Sequence, residues 1–107
     1  MTTQKYQVHM SSQQLTITAS ILAKTEKREF VKQALLKLIP PTLQEEGCLN
    51  YDLHQDNENP DRFFFYENWK SRELWLNHNA SAHIAAHRKN TEGAIIEVII
   101  SELSPVS

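Results

Sequence analysis

The sequence predicts a single α+β domain of β-α-β-β-α-β order, with its helices on one face of an antiparallel sheet. Three observations predict it. Leu15 to Ala23 and Cys48 to Gln55 alternate apolar and polar residues with the period of a strand. Two stretches, about Glu26 to Glu45 and Ser71 to Asn90, repeat apolar residues at helical spacing. The run Arg62 to Trp69 is a strand that is bulky on both sides, with Phe63, Phe65 and Trp69 against Phe64 and Tyr66.

In strand one, Leu15, Ile17, Ala19 and Ile21 alternate with Thr16, Thr18 and Ser20, a set rich in β-branched residues. Thr25 is placed to cap the helix that follows. The apolar face of that helix is Phe30, Ala34, Leu35, Leu38 and Ile39, flanked by Val31. Pro40-Pro41 is expected to kink it or split off its last turn, since each proline removes a donor and crowds the previous turn. Gly47 ends the element. In strand two, Leu49, Tyr51 and Leu53 are expected on one face and Asn50, Asp52 and His54 on the other. Asp56 to Asp61 is a dense turn signal, so strand three returns as a hairpin partner. Ser71 caps the next helix, with Glu73 in its first turn and Leu74, Trp75 and His78 at helical spacing. Asn79-Ala80 interrupts it, and Ser81 recaps a second piece from roughly Ala82 to Asn90. Beyond Gly93, Ile95 to Glu102 is strand four, apolar at nearly every position and expected to be buried on both faces.

That order is the ferredoxin-like arrangement. Its helices cover one sheet face, yet strands three and four are apolar on both. A sheet with one wet face alternates cleanly. A second copy of the chain is therefore expected over the other face, in a homodimer whose two sheets share a barrel-like core.

A chain of 107 residues makes one domain with a modest core. With 11 Lys plus Arg against 13 Asp plus Glu, there is no basic stripe for nucleic acid. The single cysteine, Cys48, leaves no internal disulfide and fits a reducing cytoplasm. No apolar run reaches membrane-spanning length, and the N-terminus lacks the apolar core of a signal peptide. Residues 1–13 are polar, unpatterned and expected to be disordered. His9-Met10 reads equally as a cloning junction, with Met10 the natural start, or as native sequence.

Neither a glycine-rich phosphate loop, nor CxxC, nor HExxH, nor a nucleophile elbow is present. No flavin or nicotinamide cofactor is expected without those fingerprints. What remains is a group able to move protons: Glu67 and Trp69 at the end of strand three, with His78 and His83 on the helices beyond. A carboxylate beside an imidazole orients the ring and raises its basicity, so Glu67 is expected to partner His78. The plainer alternative is a glutamate that tethers a buried histidine for packing. His83 and His87 share a helix face at i, i+4, but no carboxylate or cysteine nearby in sequence completes a metal set, so no metal is expected. His54 faces either a pocket or the dimer core. Tyr51 is a wall residue or plain core. Cys48 reads as a small buried hydrophobe, and Trp75 as helix-to-sheet packing.

Gly47 to Leu53, then Pro60-Asp61-Arg62-Phe63, then Glu67-Asn68-Trp69, then His78 with Ser81 and His83, together resemble the antibiotic biosynthesis monooxygenase family. The likeness runs from about Leu15 to Leu103, so the domain is taken as residues 14–107. The resemblance implies a dimeric ferredoxin-like α+β barrel. It also implies an oxygenase that oxidises a quinol or related aromatic with dioxygen, without flavin, haem or metal. By the same resemblance Trp69 walls the pocket, His78 is the base with Glu67 as its orienting partner, and Phe65 and Tyr51 line the cavity. His54 and His83 are further candidates for substrate contact. Haem-degrading relatives carry an asparagine on strand one where Thr18 falls, and a tryptophan where His78 falls. That departure argues against haem degradation, although His87 matches the histidine. Relatives that isomerise phosphorylated sugars share the glutamate and paired histidines. An isomerase or lyase acting on an oxo-sugar phosphate therefore stays open, with Arg62, Arg88 and Lys89 as cationic candidates. So does a non-catalytic binding dimer on the same scaffold.

Overall fold

A computed structural model describes residues 14–107; the expectations for residues 1–13 lie outside the described residues. The elements run β1 (Leu15–Ala23), a 3-10 turn (Thr25–Lys27), α1 (Arg28–Leu43), β2 (Cys48–Gln55), β3 (Arg62–Trp69), α2 (Arg72–Asn79), α3 (Ala82–Asn90) and β4 (Ile95–Leu103). The sheet order is β2-β3-β1-β4 with every neighbour antiparallel. This is the ferredoxin-like α+β fold that the periodicities predict. No described helix is long and apolar enough to cross a membrane.

Strict alternation in β1 divides the sheet. Leu15, Ile17, Ala19, Ile21 and Ala23 are buried under the helices, and the residues between them lie on the other face. Register carries the division into β3. Phe63, Phe65, Glu67 and Trp69 stand opposite Ile21, Ala19, Ile17 and Leu15 and share their buried face. The core forms where these strands meet Val31, Leu35 and Leu38 of α1, Tyr51 of β2 and Ile84 of α3. Leu15, Ile17, Trp69 and Trp75 make a smaller cluster beside it.

Several expectations are corrected. Thr25 does not cap α1. It opens the 3-10 turn, and its hydroxyl donates to Asp61 at 2.6 Å, tying the turn to the β2–β3 hairpin. The buried stripe of α1 is Val31, Leu35, Leu38 and Thr42; Phe30 points outward and Ile39 is only half-buried. Pro40-Pro41 does not split off the last turn, and α1 runs through it to Leu43. Each proline lacks the N–H that would bond the preceding turn, so the helix gives up those two bonds and ends at Leu43, two residues beyond Pro41. Leu49 leaves the face of Tyr51 and Leu53. The β2–β3 register shifts between Cys48 and Asn50, so Cys48 pairs inward with Trp69 while Leu49 is exposed.

β4 forms a sheet edge. Within the single chain Ile96, Val98, Ile99 and Ile100 are each about half exposed, on the strand where the sequence expects a second copy. The face of the sheet away from the helices also shows Phe64 and Tyr66 to solvent.

Candidate active site

Between the sheet and its helices lies a cavity of about 320 Å³. Ile17, Ala19 and Ile21 of β1 form its floor, Leu35 and Leu38 of α1 one wall, and Val98 and Ile100 of the edge strand another. Tyr51, Glu67 and His78 bring polar atoms to it, and α3 with the turn after it adds His87, Arg88 and Thr91. A mostly apolar room of this size with a few convergent polar groups is the usual form of a small-molecule site.

His78 reaches the cavity because α2 buries the face that carries Trp75 and His78, three residues apart. The hydroxyl of Ser71 accepts from the Leu74 amide at 3.3 Å and fixes where that helix starts. Ser81 does the same for α3, accepting from Ile84 at 3.4 Å. The break between the two helices turns α3 so that His83 comes back toward His78, with ring centroids 6.0 Å apart.

The partner of His78 is Glu45, not Glu67. Nδ1 of His78 lies 2.6 Å from Oε2 of Glu45, and Nε2 of His83 lies 2.9 Å from the same oxygen. The hydroxyls of Thr42 and Ser81 approach Nε2 of His83 at 3.2 Å and 3.4 Å. Glu45 was missed because 33 residues separate it from His78. A signal was there to be used: Leu35, Leu38, Thr42 and Glu45 keep a helical spacing in sequence, although α1 itself ends at Leu43 and Glu45 stands in the turn just beyond. Glu45 also supplies the carboxylate that a metal set lacked. The donor atoms of Glu45, His78 and His83 all lie within 4.8 Å of one another. As they stand, one carboxylate oxygen serves both rings.

Glu67 is held by its own neighbour. Nε1 of Trp69 donates to its Oε1 at 2.9 Å. Burial pushes the Glu67 carboxyl up to about 7, against the pull of that bond, with Glu45 adding to the rise. Trp69 does not wall the cavity. It is fully buried behind Glu67 and packs on the His78 ring at 4.8 Å. Trp75, read from sequence as packing, is the tryptophan that lines the cavity. Tyr51 and Phe65 both line it, stacked at 4.2 Å, and Tyr51 meets His78 edge-on at 5.5 Å. Burial, then Glu67, drives the Tyr51 phenol well above its usual range. The same causes push the Cys48 thiol up to about 11.

His54 and His83 lie elsewhere. His54 pairs with Phe64 on the open face of the sheet, away from the cavity. His83 lines a separate groove between α1 and α3, together with Phe30, Lys37 and Asn90. His87 borders both spaces, and its Nδ1 is buried with no hydrogen-bond partner among the described residues.

Burial holds His78 below the usual imidazole range and outweighs the upward pull of Glu45. The ring is therefore neutral near pH 7. Its Nδ1–H donates to Glu45, so Nε2 carries the free lone pair. A neutral imidazole with one nitrogen fixed by a carboxylate is built to accept a proton at the other.

Comparison with known proteins agrees with this architecture. PA3566 from Pseudomonas aeruginosa superposes with a TM-score of 0.85 at 31% identity, covering 92% of this chain and 99% of that one. The Bacillus subtilis protein named "Putative monooxygenase YcnE" is 31% identical over 93 residues, 84% of this chain and 98% of its own length. The Escherichia coli protein named "Probable quinol monooxygenase YgiN" is 29% identical over 103 residues, 85% of this chain and 97% of its own length. With the family model for antibiotic biosynthesis monooxygenase matching residues 14–90, this chain belongs to that family.

Proposed function

We propose that this chain is a cofactor-independent monooxygenase that oxidises a quinol or related aromatic with dioxygen in the cavity beneath α1, α2 and α3. The observation that carries the reading is His78, buried against an apolar room with Nδ1 committed to Glu45. Nε2 takes the proton of a bound hydroxyl. The electron-rich anion then bonds to dioxygen at a ring carbon beside the oxygen. The peroxide anion so formed takes the proton back from His78, and the resulting hydroperoxide loses water, leaving one oxygen atom in the product as a carbonyl. Apolar walls favour this chemistry by keeping water from the intermediates.

A cationic cradle would favour the oxo-sugar phosphate. The cavity offers one arginine, Arg88, among aliphatic and aromatic walls, and so favours the aromatic. The same reading makes the working form a homodimer and places it in the cytoplasm, with Cys48 as a free thiol. Oxygen uptake with a panel of quinols tests it. Native protein is expected to consume oxygen, and His78→Ala to lose about 100-fold in turnover. Equal substrate loss with and without oxygen rejects the oxygenase, and an unaltered His78→Ala rejects the base.

A further inference from the structure

The trio behind the cavity holds one group more than a positioned base requires. His78 needs a single acceptor to fix its ring, and Glu45 supplies it. The same oxygen of Glu45 also meets His83, and His83 faces a different space. His78 borders the cavity, whereas His83 borders the groove on the outer side between α1 and α3. Side-chain exposure rises along the way, from 4% at His78 through 17% at Glu45 to 24% at His83.

We infer that Glu45 and His83 form a two-way proton path joining the closed cavity to the outer groove. The inference rests on His78 being the base. It answers a need of the proposed reaction: the proton taken from the substrate must be held away from the cavity until the peroxide anion takes one back, while the cavity stays dry. Outward, the substrate hydroxyl gives its proton to Nε2 of His78, and Nδ1 passes its own to Glu45. Glu45, now a neutral acid, donates to Nε2 of His83, and Nδ1 of that ring releases a proton to the groove. The return runs the same steps backwards and restores every tautomer, so no ring has to turn over. One proton leaves and one comes back, and the balance with dioxygen and water is unchanged. Thr42 and Ser81 fit the scheme. Their hydroxyls can rotate to donate to Nε2 of His83 or accept from it, so either tautomer is satisfied there. The other ionisable groups near the path are His87 and Arg88 of α3, Lys37 of α1 on the groove, Glu67 of β3, and Cys48 and Tyr51 of β2.

His83→Gln keeps a hydrogen bond to Glu45 but cannot pass a proton, and His83→Ala opens a hole onto the groove. Both are expected to lose about tenfold or more in kcat at low buffer concentration, with KM unchanged. Added imidazole is expected to restore the alanine variant and not the glutamine one. Should the alanine variant fail to fold, the glutamine variant decides by its kcat at an unchanged melting temperature. Wild-type kcat in the His83 variants, with His78→Ala inactive, overturns the path alone. A His78→Ala protein as active as wild type overturns the base beneath it.

Discussion

Glu67 shows how burial sets chemistry at a single residue. Its carboxyl sits against Trp69 on the covered face of the sheet, and desolvation raises it to about 7. An unfolded chain would hold the same group near 4.3. A folded value above the unfolded one means that the folded state binds more protons between the two. The stabilising contribution is therefore complete below about pH 4.3 and disappears as pH rises through about 7. Glu67→Gln keeps an acceptor for Nε1 of Trp69 and removes the ionisation. Denaturant melts at pH 4 and pH 8 are expected to show equal stability at the lower pH. At the higher pH the variant should gain on the order of 3 kcal/mol. Wild-type stability in the variant at both values would mean that the Glu67 carboxyl titrates in the fold as it does in the unfolded chain, so that burial does not raise it. At this scale the sequence was partly legible. Strand period puts Phe65 and Glu67 on one face of strand three and Tyr51 with Leu53 on strand two, helical spacing puts His78 in step with Trp75, and the family resemblance supplied the roles given to them. Glu45 was not legible, because its role depends on a long-range pairing across two other elements. The two tryptophans exchanged roles for a similar reason: strand parity puts Trp69 on the covered face but not how deep beneath α2 it lies.

Among the elements, the turn between α1 and β2 is a tight join. Gly47 has φ +90, and a Cβ built there would stand 2.5 Å from Cδ1 and 2.7 Å from Cβ of Leu74. Two separate costs follow from adding a methyl group: a backbone region disfavoured for side chains, and a clash with α2. Gly47→Ala is expected to lose about 2 kcal/mol or more in equilibrium unfolding, and to slow turnover because α2 carries His78. An alanine variant as stable as wild type would show that α2 can slide. The strands and helices themselves were read well from periodicity, and β1, β2 and β3 run between the expected residues. The misses fall where tertiary contacts overrule local signals. Thr25 carries a capping side chain, yet Asp61 from the hairpin takes its hydroxyl. Leu49 alternates correctly on paper, but the register shift on β2 turns it out.

At the scale of the whole molecule, the sheet face opposite the helices is the surface on which the proposed dimer would form. Phe64 of β3 and Ile99 of β4 flank Ser20 from either side, so two large apolar side chains share a line across three strands, with the Ser20 hydroxyl between them taken by Arg62. Phe64 is 38% exposed and Ile99 51% exposed in the single chain. Contiguous exposed apolar surface on a small soluble domain marks an association site. Light scattering with size exclusion is expected to give about twice the chain mass of 12.4 kDa. Ile99→Glu is expected to halve it, by setting an unpaired charge into the shared face. A wild-type protein that elutes as a single chain would leave that line without a purpose. The sequence showed the need for a cover, in Phe64, Tyr66 and the isoleucines of strand four. Which strand would form the edge was not legible, because strand order depends on long-range pairing.

The alternation of β1 has a consequence for how such a chain can diverge. Three of its odd positions, Ile17, Ala19 and Ile21, shape the cavity, and its even positions face the other way. Replacement at one set leaves the other untouched, so ligand preference and self-association can drift independently over generations. Inserting or deleting one residue does the opposite, exchanging the two sets at a stroke. Descendants of this chain should therefore vary freely in spelling along this segment while keeping its length fixed.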